Sequence, residues 1–290
     1  MDNLPNFFIE ELYRDYGENH AQTIIEGLVR KKTSFRVNNL LSNNAEIESA
    51  LEKASILFKK VAWYDKAYVI ENNKISDLDV YKEGKIYVQN LSSMIPPIVL
   101  DPKPGEDILD MCAAPGGKTT EIACLSNNQA HITACEMNPI RIERLKHNIK
   151  MQGASAYVMP KDSRNLDDFL KYDKILLDSP CSGSGTLDRF DESNKKIFTE
   201  YLIQKSIKSQ KTLLNKAINL TKKGGIIVYS TCSILKRENE EVIESVLRDK
   251  KVELVPIDLK QMTDIPVFHQ TVIPTDIYEG FFVAKLRKIV

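Results

Sequence analysis

The sequence predicts an α/β protein: a doubly wound, mostly parallel sheet over residues 86–290, preceded by a small α+β module over residues 1–85. Two observations carry this. From about Ile86 onward, short apolar stretches alternate with longer amphipathic ones, the pattern of parallel strands joined by crossover helices. The first strand of that series, Asp107–Cys112, also runs straight into a glycine-rich turn and then a helix. Such turns form the ligand edge of open α/β sheets.

Each element has its own signal. FFIEELYRDYG and HAQTIIEGLVR carry apolar residues at helical spacing, with Gly17 as a break between them. SFRVN reads as a strand, Asn44–Lys53 as a helix, and FKKVAWY and AYVIE as strands. That β-α-β-β order defines the small module. IYVQ, starting at Ile86, reads as a strand, and NLSSMIPPIVL as an apolar helix ending near Pro102. Strands follow at DILDMC, HITACE, AYVMP, KILLD, GIIVYS and GFFVAKL. KILLD, nearly all apolar, suits burial on both faces. Helices fill the gaps, the longest running from Glu200 to about Gly224.

Composition narrows the class. The chain has 290 residues, enough for one large domain with a smaller companion, and 42% are hydrophobic, enough for a sizeable core. No apolar run reaches the roughly 18 residues of a membrane span, and the acidic start MDNLPNFFIEEL lacks the basic region of a secretory signal. A cytoplasmic protein, with no membrane partner, is expected. Forty basic residues balance forty acidic ones, so a nucleic-acid partner would be held by local patches. Two are candidates: Arg30, Lys31, Lys32 and Arg36, and the Lys-rich stretch from Arg189 to Lys223. Phe35, Tyr64 and Phe190 are candidates for stacking on bases. The five cysteines form no Cys-x-x-Cys pair and have no histidine at ligand spacing, so no metal site is expected.

The glycine-rich turn is Cys112-Ala113-Ala114-Pro115-Gly116-Gly117-Lys118. A phosphate loop would need glycine where Cys112 stands, and no Gly-x-Gly-x-x-Gly is present. Carboxylates at the following strand ends point to a nucleoside ligand. Glu136, after the second strand, is placed to accept from ribose hydroxyls. Asp162, after the third, is placed to accept from an adenine amino group. Asp178 ends the fourth.

Two cysteines stand out. Cys181, in Asp178-Ser-Pro-Cys-Ser-Gly-Ser-Gly, follows the fourth strand, and Cys232, in Tyr229-Ser-Thr-Cys-Ser, follows the fifth. Each lies in a polar turn on the ligand edge, where a thiol serves as a nucleophile once activated. Cys124 in a helix and Cys135 in a strand read as core residues. Position alone leaves Cys181 and Cys232 nearly equal candidates.

CAAPGGKT, DSPCSGSGT and YSTCS, in this order, resemble the Nop2/Sun (Fmu) family of RNA cytosine-C5 methyltransferases. SFRVN, VQNLSSM, RENEEVIESVL and EGFFVAKLRK extend the resemblance from Thr33 to near the C-terminus. The resemblance implies a Rossmann-like methyltransferase domain with a small N-terminal module similar to an RNA-recognition fold. It implies S-adenosylmethionine as cofactor, held by Cys112–Lys118, Glu136, Asp162 and Asp178. It implies an RNA partner, rRNA or tRNA, and the chain is expected to act as a monomer. Only the resemblance orders the thiols: Cys232 as nucleophile at cytosine C6, Cys181 as the residue that assists release. Lys118 and Asp178 would face the target base, and proton donation at cytosine N3 would help the addition. Two other readings stay open: a methyltransferase for DNA, protein or a small molecule, with Cys181 as attacker in the DNA case, and a scaffold that binds RNA without chemistry.

Overall fold

The computed structural model describes residues 3–71, 74–258 and 265–290. The chain opens with helix α1 (Asn6–Gly27), in which Gly17 breaks the helical geometry at φ 73°. Strand β1 (Thr33–Val37), helix α2 (Asn44–Lys53), strands β2 (Phe58–Lys60) and β3 (Ala67–Ile70), the short helix α3 (Asp79–Lys82) and strand β4 (Ile86–Val88) follow. The four strands form an antiparallel sheet in the order β2-β3-β1-β4. Ile47 and Leu51 of α2 close one face of it over Phe35, Tyr68, Ile70 and Ile86. Helix α2 starts where Asn43 accepts the Glu46 N–H, a side-chain cap for an otherwise unpaired donor.

Two features differ from the sequence reading. Ile86–Val88 pairs with β1 through Phe35↔Val88 and Val37↔Ile86, so this stretch completes the small sheet instead of opening the large one. Helix α1 does not pack on the small sheet. Its Phe8, Leu12, Ile24 and Ile25 gather with Phe198, Ile203, Ile234 and Leu235 of the large domain. An amphipathic helix announces its apolar face, but not which partner that face meets.

The large domain contains α4 (Leu91–Leu100), β5 (Asp107–Asp110), α5 (Gly117–Leu125), β6 (His131–Cys135), α6 (Pro139–Met151), β7 (Tyr157–Met159) and β8 (Tyr172–Asp178). It continues with α7 (Asn194–Ile197), α8 (Glu200–Leu220), β9 (Thr221–Thr231), α9 (Glu240–Leu247), β10 (Val252–Val255), β11 (Val267–Phe268), β12 (Thr271–Val272) and β13 (Phe281–Lys288). The sheet order is β11-β12-β13-β9-β8-β5-β6-β7, with β10 also on β13. Strands β5 to β9 are parallel, and β13 lies antiparallel beside β9. The expected doubly wound, mostly parallel sheet is therefore present. Along β8, Leu176 joins one core layer while Ile175 and Leu177 join the other, so the strand is buried on both faces as its composition predicted.

This order positions the site. Strand β5 sits between β6 and β8, so the chain winds away from it in both directions. The crevice at the C-terminal end of such a strand is left open, and ligands bind there. No helix among the described residues is long and apolar enough to cross a membrane.

Candidate active site

The turn after β5 is held in shape by side chains from other elements. Gly116 caps α5 with φ 110°, a conformation that strains any side chain, and a Cβ there would lie 3.1 Å from Leu145. Arg141 Nη2 donates to the Ala114 carbonyl (2.6 Å), and Asn148 Nδ2 to that of Pro115 (2.7 Å). Arg36 Nη2 donates to that of Gly117 (3.1 Å). The loop's carbonyls are thus satisfied from behind.

Two pockets meet at this loop, and Cys112 lines both. The first is bounded by Met111, Glu136, Met137, Asp162, Ser163 and Pro180. Glu136 Oε1 accepts the Met137 and Asn138 N–H groups at 2.9 Å, and Oε2 lies 3.1 Å from Arg141 Nη1. Its carboxylate is therefore oriented. Asp162 is engaged by Arg164, whose Nε and Nη2 reach its two oxygens at 2.6–3.0 Å, and this holds the Asp162 carboxyl below its ordinary pKa.

The second pocket is lined by Tyr87, Gln89, Asp110, Ala113 to Pro115, Gly117, Lys118 and Asp178. Lys118 Nζ donates to Asp178 Oδ2 (2.7 Å), and Ser230 Oγ donates to Asp178 Oδ1 (2.8 Å). Burial opposes charge on Lys118, but the Asp178 carboxylate outweighs it, aided by Cys232, and raises the ammonium's pKa. Asp110 is buried beneath the loop. Thr119 donates to its Oδ2 (2.7 Å), while its Oδ1 has no partner. Burial raises the Asp110 pKa to about 6.

Cys181 and Cys232, 51 residues apart in sequence, meet with their sulfurs at 3.1 Å, both half-buried. Their surroundings differ. Cys181 holds its proton well above the ordinary thiol range, chiefly through its hydrogen bond to Cys232, then through burial and the nearby charge of Glu238. Cys232 instead lies within the field of the Lys118 ammonium. The Cys181 thiol is therefore held in its protonated form. The other thiols are quiet. Burial raises the pKa of Cys112 strongly, raises that of Cys124, and pushes Cys135 up to about 12.

The sequence-predicted loop residues other than Gly116, with Glu136, Asp162 and Asp178, line the two pockets, whereas Cys181 and Cys232 lie just past the C-terminal ends of β8 and β9 and line neither. The proposed basic patches fare differently. Arg36 is fully buried and bonds Gln89, Gly117 and Thr120, so it is a core residue and not a phosphate contact. Phe35 stacks on Tyr68 inside the small module, and Tyr64 is buried in the core. Both are thereby unavailable to bases. Along the second stretch, Lys195, Lys196, Lys205, Lys208 and Lys211 are exposed. Lys222, however, pairs with Asp107 and Asp173 at the opposite end of the strands. Phe190 stays 55% exposed, with Arg189 over its ring. Sequence reasoning missed Asp110, Arg141 and Glu238, which act on the site through contacts distant in sequence. Only Glu238 left a trace, inside the RENEEVIESVL match.

The mostly parallel sheet, with its crevice at the end of β5, has the fold of the Rossmann-like methyltransferases, a class whose cofactor is S-adenosylmethionine. Residues 97–287 match the model of the 16S rRNA methyltransferase RsmB/F family, and the chain belongs to that family. It is 34% identical over its whole length to the ribosomal RNA small subunit methyltransferase F of Shewanella loihica, and spans 63% of that relative. It is 36% identical to the tRNA (cytosine(49)-C(5))-methyltransferase of Pyrococcus abyssi, over 89% of this chain and 88% of the relative. The crystal structure of a methyltransferase homolog from Pyrococcus horikoshii superposes with a TM-score of 0.85 at 33% identity, covering 98% of this chain and 95% of that one.

Proposed function

We propose that this protein transfers a methyl group from S-adenosylmethionine to C5 of a cytosine in ribosomal or transfer RNA, through a covalent bond between Cys232 and cytosine C6. One observation carries the reading: two thiols in contact at the C-terminal ends of β8 and β9, where Asp178 pairs with Lys118 of the glycine-rich loop. The relatives named for rRNA and tRNA methylation supply the two candidate RNA classes.

The cavity chemistry fits the cofactor. The unpartnered buried oxygen of Asp110 lacks a donor of the kind an ammonium group offers, and the oriented Glu136 carboxylate suits a ribose diol. Cys112–Lys118, Glu136, Asp162 and Asp178 are the residues assigned to hold it. When bound, S-adenosylmethionine supplies an electrophilic methyl group on a sulfonium. The protein's own residues then do the following. Lys118 and Asp178 present a proton toward cytosine N3, which withdraws electron density from C6. The Cys232 thiolate adds at C6, and C5 gains the nucleophilic character of an enamine. After methylation, a water acting as base takes the C5 proton, the electrons of that C–H bond re-form the C5–C6 double bond, and the Cys232 sulfur leaves as thiolate. The Cys181 S–H donates a hydrogen bond to that departing sulfur and lowers the barrier to release. The base must be unpaired or flipped out to expose C6. The exposed lysines of α8 and Phe190 are the contacts assigned to RNA.

Adduct trapping tests the reading. Cys181→Ala is expected to accumulate a denaturation-resistant protein–RNA complex in the presence of cofactor, and Cys181→Ala with Cys232→Ala to form none. An adduct that needs Cys181 instead of Cys232 would move the attack to Cys181 and favour DNA-type chemistry. Bisulfite mapping of cellular RNA with and without the gene is expected to show one lost methylcytosine, which names the RNA.

A further inference from the structure

Glu238 lies in a short helical turn just before α9, fully buried. Four donors converge on its carboxylate. Oε1 accepts the Ser182 N–H (2.8 Å) and Gln210 Nε2 (3.2 Å). Oε2 accepts the hydroxyls of Ser182 (2.5 Å) and Ser233 (2.6 Å). Ser182 and Ser233 are the residues immediately after Cys181 and Cys232. One carboxylate therefore ties both thiol-bearing turns together. The Tyr229 hydroxyl secures the Glu238 carbonyl (2.6 Å), and the Gly185 N–H donates to the Cys232 carbonyl (3.0 Å), closing the frame.

A neutral acceptor would tether two serines without the cost of burying a charge. Among the described residues no lysine or arginine forms an ion pair with Glu238, so its charge is not spent on one. Its oxygens instead meet the residue that follows each cysteine, Ser182 and Ser233.

We propose that Glu238 is a positioning residue that, by bonding the residue after each cysteine, holds Cys181 and Cys232 in contact. The inference rests on the cytosine-methylation reading for its purpose, but its test needs no RNA. The groups that bear on the titration are Cys181, Cys232, Glu238, Lys118, Asp178 and Tyr229, with Gln210 as a neutral neighbour.

The experiment is alkylation of the full chain by iodoacetamide across pH 6–10, a range of about four units around the free thiol pKa, with peptide mass spectrometry to locate the label. The wild type is expected to label at Cys232 before Cys181. Glu238→Gln keeps size but replaces one of the two accepting oxygens by a donor, and is expected to reduce that preference by at least about tenfold, one unit of thiol pKa. Ser182→Ala, which keeps the charge but loosens the Cys181 turn, is expected to reduce it as well, and it decides the matter if Glu238→Gln does not fold. Preference unchanged in a folded Glu238→Gln, or unchanged in Ser182→Ala when that variant alone folds, overturns the proposal. Absence of an RNA adduct in Cys181→Ala with Glu238 intact sinks the methylation reading instead, and leaves the labelling result standing.

Discussion

Replacing Arg36 by Met is expected to destabilise the protein by about 3–5 kcal/mol, the usual cost of removing one partner from a buried ion pair. Arg36 and Glu121 are both fully buried, with Nε and Oε2 3.8 Å apart. The guanidinium also donates to Gln89 Oε1 (3.0 Å), Thr120 Oγ1 (2.7 Å) and the Gly117 carbonyl (3.1 Å). Methionine nearly matches the volume, so the loss is of polar contacts and not of packing. It leaves Glu121, whose pKa burial already raises to about 7, without its cation. A second substitution, Glu121→Met, removes the stranded carboxylate. The double variant is expected to recover about 2 kcal/mol or more, since paired apolar replacement of a buried ion pair is often near neutral. It does not recover everything, because Gln89 Oε1 loses its guanidinium donor. Urea unfolding followed by Trp63 fluorescence and far-ultraviolet circular dichroism measures both. A single variant costing under about 1 kcal/mol, or a double variant costing the plain sum of the two singles, refutes the claim that this pair fastens the small module to the helix that follows the glycine-rich loop.

Gly116→Ala is expected to cost about 1–3 kcal/mol, because its φ of 110° is strained for alanine and the new Cβ meets Leu145 at 3.1 Å; thermal melting and cofactor titration check it. Lys118→Met is expected to lower kcat for methylation by at least about 100-fold, the scale of general acid catalysis, measured by methyl incorporation into RNA. A wild-type rate there removes Lys118 from the chemistry. Asp110 gives a pH signature. Its pKa is near 3.8 unfolded and about 6 folded, so the native state binds the proton more tightly. The favourable contribution is fully present below pH 3.8 and is lost as pH rises through 6, roughly 3 kcal/mol in all. Asp110→Asn is expected to flatten that part of the stability–pH curve measured by urea unfolding. An unchanged curve shows that another group is responsible.

Periodicity and turn chemistry determined much of this molecule. The alternation after Ile86 determined a doubly wound sheet, and the strand ends placed the glycine loop, Glu136, Asp162, Asp178 and both thiol turns on one edge. These features are local: which face a residue takes, and where a strand stops, depend on neighbours a few positions away. Burial of Cys124 and Cys135 was legible for the same reason. Tertiary structure alone decided who meets whom. Arg36 looked like part of a basic patch, yet it is a buried clamp on the glycine-rich turn and its helix, because those partners lie 81 to 85 residues further along the chain. Ile86–Val88 and α1 changed sides for similar reasons: a strand's partner and a helix's dock are chosen by distant surfaces. The two thiols were nearly equal in sequence, and only family resemblance ordered them. Packing brought them to 3.1 Å and tied both turns to one carboxylate, Glu238, through Ser182 and Ser233. Such contacts depend on distance in space, which the order of residues in the chain does not state.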